Sequence, residues 1–189
     1  MDILSISPAQ LAEYARVSIA FEVRTIFDLE LPENGLGGIL LPERPVAPYR
    51  KDYDLLGSPL TWPEEFDLKN WGLFLAREGE TPLGGAAVAW NTHGVHLLEG
   101  RADLAVLWDL RVSPEARGRG VGKALFWHAA AWARERGCRQ LKIETQNINV
   151  HACRFYAAQG AILGDLRRFA YADDPRVANE VQLNWYLAL

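Results

Sequence analysis

Apolar and polar positions change period several times along this chain, and each change marks an element. Ile3 to Ile6 reads as a short opening strand. Ser7 then stands as a helix N-cap, with Pro8 at the first helical position and Gln10 at capping-box spacing. Leu11, Tyr14, Ala15 and Ser18 recur at helical intervals, and helical character is expected to resume over 21–29 after a kink. Between Pro32 and Pro63 the period is lost, with prolines at 32, 42, 45, 48, 59 and 63. This stretch reads as one long loop.

From residue 71 the pattern becomes regular. Segments 71–77 and 83–90 read as strands joined by the turn Glu78-Gly79-Glu80, a hairpin, and 104–112 as a third strand. Over 120–136 Val121, Ala124, Leu125, His128 and Trp132 share one helical face, and Gly137 closes the helix. A strand at 141–145 follows. Asn149 caps a helix that runs to about 159, where Gly160 ends it, and segments 162–171 and 180–187 complete a sheet. The expectation is a single α/β (α+β) domain over 1–189. The last strand, 181–189, either finishes its own sheet or pairs with a second copy in a homodimer.

Composition changes this picture little: the chain is 49% hydrophobic and 23% charged, as globular domains are. A net charge of −4 argues against a broad basic face for nucleic acid and suits a cationic partner. Cys138 and Cys153 lie far outside CxxC spacing, and the four histidines form no ligand cluster, so no metal site is expected. Two free buried thiols fit a reducing cytoplasm. The opening Met1-Asp2-Ile3 lacks the character of a secretory leader, and no apolar run is long enough to span a membrane.

The strongest chemical feature is the run Arg111-Val-Ser-Pro-Glu-Ala-Arg117-Gly118-Arg119-Gly120-Val121-Gly122-Lys123. A strand enters a glycine-rich turn that opens a helix, which leaves backbone N–H groups unpaired and directed at an anion. Four basic residues, Arg111, Arg117, Arg119 and Lys123, face only Glu115 in this run. Arg117 stands where a Walker A loop has its first glycine, and Ala124 replaces the hydroxyl residue after the lysine. Lys123 likewise breaks a dinucleotide-binding fingerprint. What remains, Arg117-x-x-Gly120-x-Gly122, resembles the pyrophosphate-binding motif of the GNAT acetyltransferase superfamily. That resemblance implies a central mixed, mostly antiparallel twisted sheet flanked by helices, with a splay between the strands at 104–112 and 141–146. It also implies acetyl-CoA as cofactor. Its pyrophosphate would lie on the backbone of Arg117, Gly118, Arg119, Gly120, Val121, Gly122 and Lys123, and its pantetheine arm on that of Leu110, Arg111 and Val112.

A second segment, Glu144-Thr-Gln-Asn-Ile-Asn149-Val-His-Ala-Cys-Arg-Phe-Tyr156, narrows the resemblance. With Val23-Arg24-x-x-Phe27-Asp28, Pro48-Tyr49-Arg50-Lys51-Asp52-Tyr53 and Ala178-Asn179-Glu180, it is similar to streptothricin acetyltransferases, over roughly residues 21–187. By that resemblance Asn149 and Tyr156 border the coenzyme, and Tyr156 serves as the acid that protonates the departing thiolate. The substrate would be a small molecule with a protonated primary amine, for which carboxylates are suited. Asp109 and Glu144 are the candidate bases or amine-binding groups, and each has an alternative reading as a structural hydrogen-bond partner. Asp28, and Tyr49, Asp52, Tyr53 and Asp54 of the 32–63 loop, would approach from the substrate side, and Trp90 or Trp108 would line an amine pocket through cation–π contact. Trp108 stands where related enzymes commonly carry an acidic residue, so a water relay in place of a dedicated base stays open. Two other readings stand beside this one. One is a protein lysine or N-terminal acetyltransferase, and the other is a CoA-binding sensor without catalysis.

Overall fold

The computed structural model describes residues 1–189. The chain opens with β1 (Asp2–Ser5), then a 3-10 turn at Pro8–Gln10 that leads into the one-turn helix α1 (Leu11–Tyr14). The capping box forms as its spacing predicts, with the Ser7 N–H donating to Gln10 Oε1 at 3.0 Å. Next come β2 (Phe21–Phe27), β3 (Glu43–Lys51), the short helix α2 (Trp62–Glu65), β4 (Gly72–Glu78), β5 (Thr81–Trp90) and β6 (Leu104–Val112). The remaining elements are α3 (Val121–Glu135), β7 (Gln140–Gln146), α4 (Val150–Ala158), β8 (Ile162–Arg167) and β9 (Gln182–Ala188). No helix is long and apolar enough to cross a membrane.

Two expectations are corrected. Residues 21–27 form strand β2, not a helix: Val23, Thr25 and Ile26 are β-branched, a class that favours strands. The 32–63 stretch is not one structureless loop, because it contains β3, which pairs antiparallel with β2 in a separate two-stranded sheet. Prolines 45 and 48 escaped recognition as strand residues because a proline cannot donate to a ladder, yet in a two-stranded sheet each strand has an open edge where no donor is needed.

The main sheet has seven strands in the order β1-β4-β5-β6-β7-β9-β8. β9 is thus interior, and its own sheet occupies the edges it would need for pairing with a second copy. Neighbours β1 and β4, β4 and β5, β5 and β6, and β8 and β9 run antiparallel. β6 and β7 are parallel, paired only over Leu104–Leu107 and Gln140–Ile143, although both strands run on. The ladder stops where β6 carries a bulge. Ala87 opposes Asp109 and Val88 opposes Leu107, so Trp108 is the extra residue. A bulge bends its strand and raises the local twist.

The chain gathers into two compact units, one of Met1–Ala20, Asp52–Ile143 and Leu187–Leu189, the other of Phe21–Lys51 and Glu144–Tyr186. In the first, α1 and α2 pack on one sheet face over Leu73, Leu75, Ala87, Ala89 and Val106, and α3 packs on β4, β5 and β6. Gly85 and Gly84 show the two faces: a Cβ on Gly85 would lie 2.3 Å from the Tyr14 ring, and one on Gly84 would meet Leu125 and Val121 of α3. In the second unit, Cys153, Val181 and Leu183 are covered by Phe27, Leu29, Leu163, Leu166 and Trp185. Asn147 joins its parts, donating from Nδ2 to the Phe27 carbonyl at 2.8 Å and accepting the Val181 N–H on Oδ1 at 2.8 Å.

Candidate active site

The glycine-rich turn has the form its sequence predicts. After a 3-10 turn at Pro114–Ala116, Gly118 and Gly120 take φ of 77° and 84°, a left-handed backbone that residues with a Cβ rarely adopt. No atom lies within 4 Å of where a Cβ would stand on either, so glycine serves the backbone there and leaves the turn open. The first helical bond of α3 runs from the Ala124 N–H to the Gly120 carbonyl at 3.0 Å. The N–H groups of Val121, Gly122 and Lys123 therefore precede the helical ladder at the positive end of the helix dipole. Such a turn is a cradle suited to a di-anion such as a diphosphate.

The charge around the turn differs from the sequence count. Arg117 clamps the turn from within, donating from Nη2 to the Ala20 carbonyl at 2.8 Å and from Nε to the Val112 carbonyl at 3.2 Å. Arg119 pairs with Glu78 at 3.0 Å on the surface, and Lys123 is exposed. The Arg111 side chain leaves the turn altogether.

Arg111 lies beneath α1, and the bulge explains why. After Trp108 the strand is out of phase, so Asp109 and Arg111 point to the face that carries Tyr14, as Gly85 opposite Arg111 confirms. Arg111 donates to both Asp109 oxygens at 2.9 and 2.5 Å, to both Asp54 oxygens at 3.1 Å, and to the Val17 carbonyl at 3.0 Å. Tyr14 adds an O–H bond to Asp109 Oδ1 at 2.9 Å. Burial first, and then the Asp109 charge, raise the Tyr14 phenol well above its ordinary range, so it remains a donor. Burial opposes the charge on Arg111, but Asp109 outweighs it and holds the guanidinium ionised. Trp108 packs edge-on against Phe66 at 5.1 Å and against Trp71 at 5.4 Å, half-buried in an aromatic cluster. Trp90 donates from Nε1 to the Ala102 carbonyl at 3.0 Å, and His128 packs on Phe74 at 4.6 Å.

In the second unit Asn149 caps α4 as expected, its side chain accepting the Ala152 N–H at 3.2 Å. Tyr156 lies two turns along on the buried side, its ring edge-on to Phe155 at 5.1 Å. Cys153 is buried, and burial pushes its thiol up to about 11, so it is a poor nucleophile at neutral pH. Neither cysteine is in a disulfide. Thr145 of β7 faces α4, with Oγ1 3.4 Å from Cys153 Sγ. By strand alternation Glu144 faces the opposite side.

There Glu144 accepts hydrogen bonds from the Tyr171 hydroxyl and from Gln146 Nε2, the latter at 3.3 Å. Gln146 Nε2 also donates to Tyr171 Oη at 3.1 Å. Burial, then the Glu144 charge, raise the Tyr171 phenol far above its ordinary range. Glu180, buried and paired with Lys51, bears electrostatically on Tyr171 and on Tyr49, whose phenol is raised by burial first and Glu180 second. Glu144 and Tyr49 from the sequence reading thus share a neighbourhood with Tyr171 and Glu180. The last two were not assigned a role, because a lone tyrosine in a 14-residue connection between β8 and β9 has no sequence pattern. Asp28 binds Arg44 at 2.9 Å. Asp52 caps the turn at Tyr53–Leu55, accepting the Asp54 N–H at 3.2 Å, and belongs with Tyr53 and Asp54 to the first unit.

The Acetyltransferase (GNAT) family model matches residues 39–161, well over half of the chain. A streptothricin acetyltransferase of Escherichia coli is 34% identical over 185 residues, which cover 97% of this chain and 94% of that protein. Among solved structures, nourseothricin acetyltransferase superposes with a TM-score of 0.78 at 25% identity, covering 99% of this chain and 97% of the other. A Bacillus anthracis protein described as a streptothricin acetyltransferase, in complex with acetyl coenzyme A, gives a TM-score of 0.76 at 25% identity over 100% and 97% of the two chains. With the anion cradle, the bulged strand and the capped helix in the order that the motifs require, the chain belongs to the GNAT family of acetyltransferases, enzymes that use acetyl-CoA.

Proposed function

We propose that this enzyme acetylates a primary amine of a streptothricin-like cationic molecule by direct transfer, and so confers resistance to such an antibiotic from within a reducing cytoplasm. The observation that carries the reading is the 34% identity to a streptothricin acetyltransferase along 97% of the chain, well beyond the coenzyme-binding motifs.

Bound acetyl-CoA supplies the acetyl thioester. The turn at 117–120 and the first amides of α3 would hold its diphosphate, with Lys123 adding positive charge. The backbone of Leu110 to Val112, beyond the end of the parallel ladder, offers N–H and C=O groups to an extended arm. Tyr156 donates a proton from its hydroxyl to the departing sulfur. Glu144 accepts a proton from the attacking amine, steadied by Tyr171, on the strand face opposite α4. We assign Asp109 a positioning role, since its two oxygens are committed to Arg111 and Tyr14. Tyr49 would border the amine side with Glu180.

Steady-state acetylation of streptothricin, measured by CoA release, tests the reading. Tyr156→Phe is expected to lower kcat about 10–100-fold while acetyl-CoA affinity stays level. Wild-type protein that binds acetyl-CoA and acetylates neither streptothricin nor other diamines would overturn it.

A further inference from the structure

Buried polar atoms in folded proteins almost always have partners. Here three buried side-chain atoms have none: Arg77 Nε, Gln182 Oε1 and Asn184 Oδ1. The two oxygens stand two residues apart on β9, on side chains of residues only 5% and 1% exposed. Trp185, in phase with Leu183 that stands between them, donates from Nε1 to Thr145 Oγ1 at 2.9 Å on the α4 side. Alternation therefore turns Gln182 and Asn184 to the other face, the one shared with Glu144 and Gln146 of neighbouring β7. The amide of Asn184 is oriented by its Nδ2–H bond to Asp165 Oδ1 at 2.7 Å, and a flipped amide would set oxygen against oxygen. Arg167, opposite Gln182 on β8, is exposed and leaves Oε1 unpaired.

We propose that Gln182 and Asn184 are specificity-determining residues whose carbonyl oxygens accept N–H bonds from a protonated amino group of the acetyl acceptor. The chemistry selects the ligand. Both orphaned atoms are acceptors, the carboxylates of Glu144 and Asp165 lie on the same face, and Arg167, the cation opposite Gln182, is exposed, so the set suits a ligand that donates. An ammonium has three N–H donors and no acceptor, which complements such a set. An unpaired buried oxygen is destabilising in the free protein, and a ligand that pairs it recovers that loss on binding. This inference rests on the amine-acetylating reading above.

The test is calorimetric titration of the CoA-bound protein with streptothricin, alongside steady-state kinetics, for wild type, Gln182→Met and Gln182→Glu. Methionine matches the volume of glutamine and removes the orphaned oxygen. Expected are a rise of about tenfold or more in Kd and KM for streptothricin with Gln182→Met, corresponding to ~1.4 kcal/mol. Acetyl-CoA affinity should be level and the melting temperature equal or higher. Gln182→Glu should restore streptothricin affinity. A Gln182→Met protein that binds streptothricin as wild type does, or that loses melting temperature with KM unchanged, would overturn the proposal. Wild type that binds streptothricin without acetylating it would sink the transfer reading alone, and the same titrations would still decide this one. Wild type that does not bind it would overturn both.

Discussion

Arg111 shows how a residue's place in the fold decides which of two chemistries it takes. In the sequence it stands beside a basic, glycine-rich turn and counts toward anion binding. In the structure its guanidinium is 1% exposed and serves Asp109, Asp54 and a carbonyl. A buried ion pair adds little net stability over an apolar pair, but removing one partner leaves an uncompensated charge. Asp109→Ala is therefore expected to lower unfolding free energy by about 3–5 kcal/mol in a urea titration. Its acetyl-CoA affinity per folded molecule should change little. Gly85→Ala forces the Tyr14 ring away from its seat and is expected to cost about 1–3 kcal/mol by the same assay.

At the scale of elements, helices were legible wherever a cap announced them. Asn149 and Gly120 mark α4 and α3 to within a residue, because capping chemistry is local. Asn149→Ala should cost about 0.5–2 kcal/mol through the lost cap, read as a fall in urea midpoint. Gly120→Ala strains a left-handed backbone by about 1–2 kcal/mol. It should also weaken acetyl-CoA binding, which titration would register. Strands β2 and β3 were hidden, since their pairing is a non-local fact and prolines 45 and 48 argued against it. The glycine-rich turn and the capped start of α4 were readable from motif spacing. Tyr171, in a connection without a pattern, was not, and neither were Gln182 and Asn184, because polar residues alternating with apolar ones on a strand look the same whether they meet water or a ligand.

For the molecule as a whole, the shifted groups set a limit at alkaline pH. Cys153 and Tyr14 both titrate higher in the folded chain than when unfolded, and both are neutral in the fold. Their contribution to stability is complete below pH 9 and is lost as pH rises, for Cys153 between an ordinary value of 9.0 and about 11. Urea midpoints are expected to hold up to pH 9 and fall beyond it, and Cys153→Ala should show a shallower decline between pH 9 and 11.

The extra residue at 108 has one more consequence. A substitution such as Trp108→Ala trims an aromatic contact and leaves the rest of β6 in step. Excising the residue would instead close the bulge: the pairs Val88–Leu107 and Ala87–Asp109 would become consecutive, so the carboxylate and the guanidinium keep their face while β6 loses the bend at which its ladder with β7 ends. Along this stretch of chain, length decides the course of the strand and identity decides what packs against it.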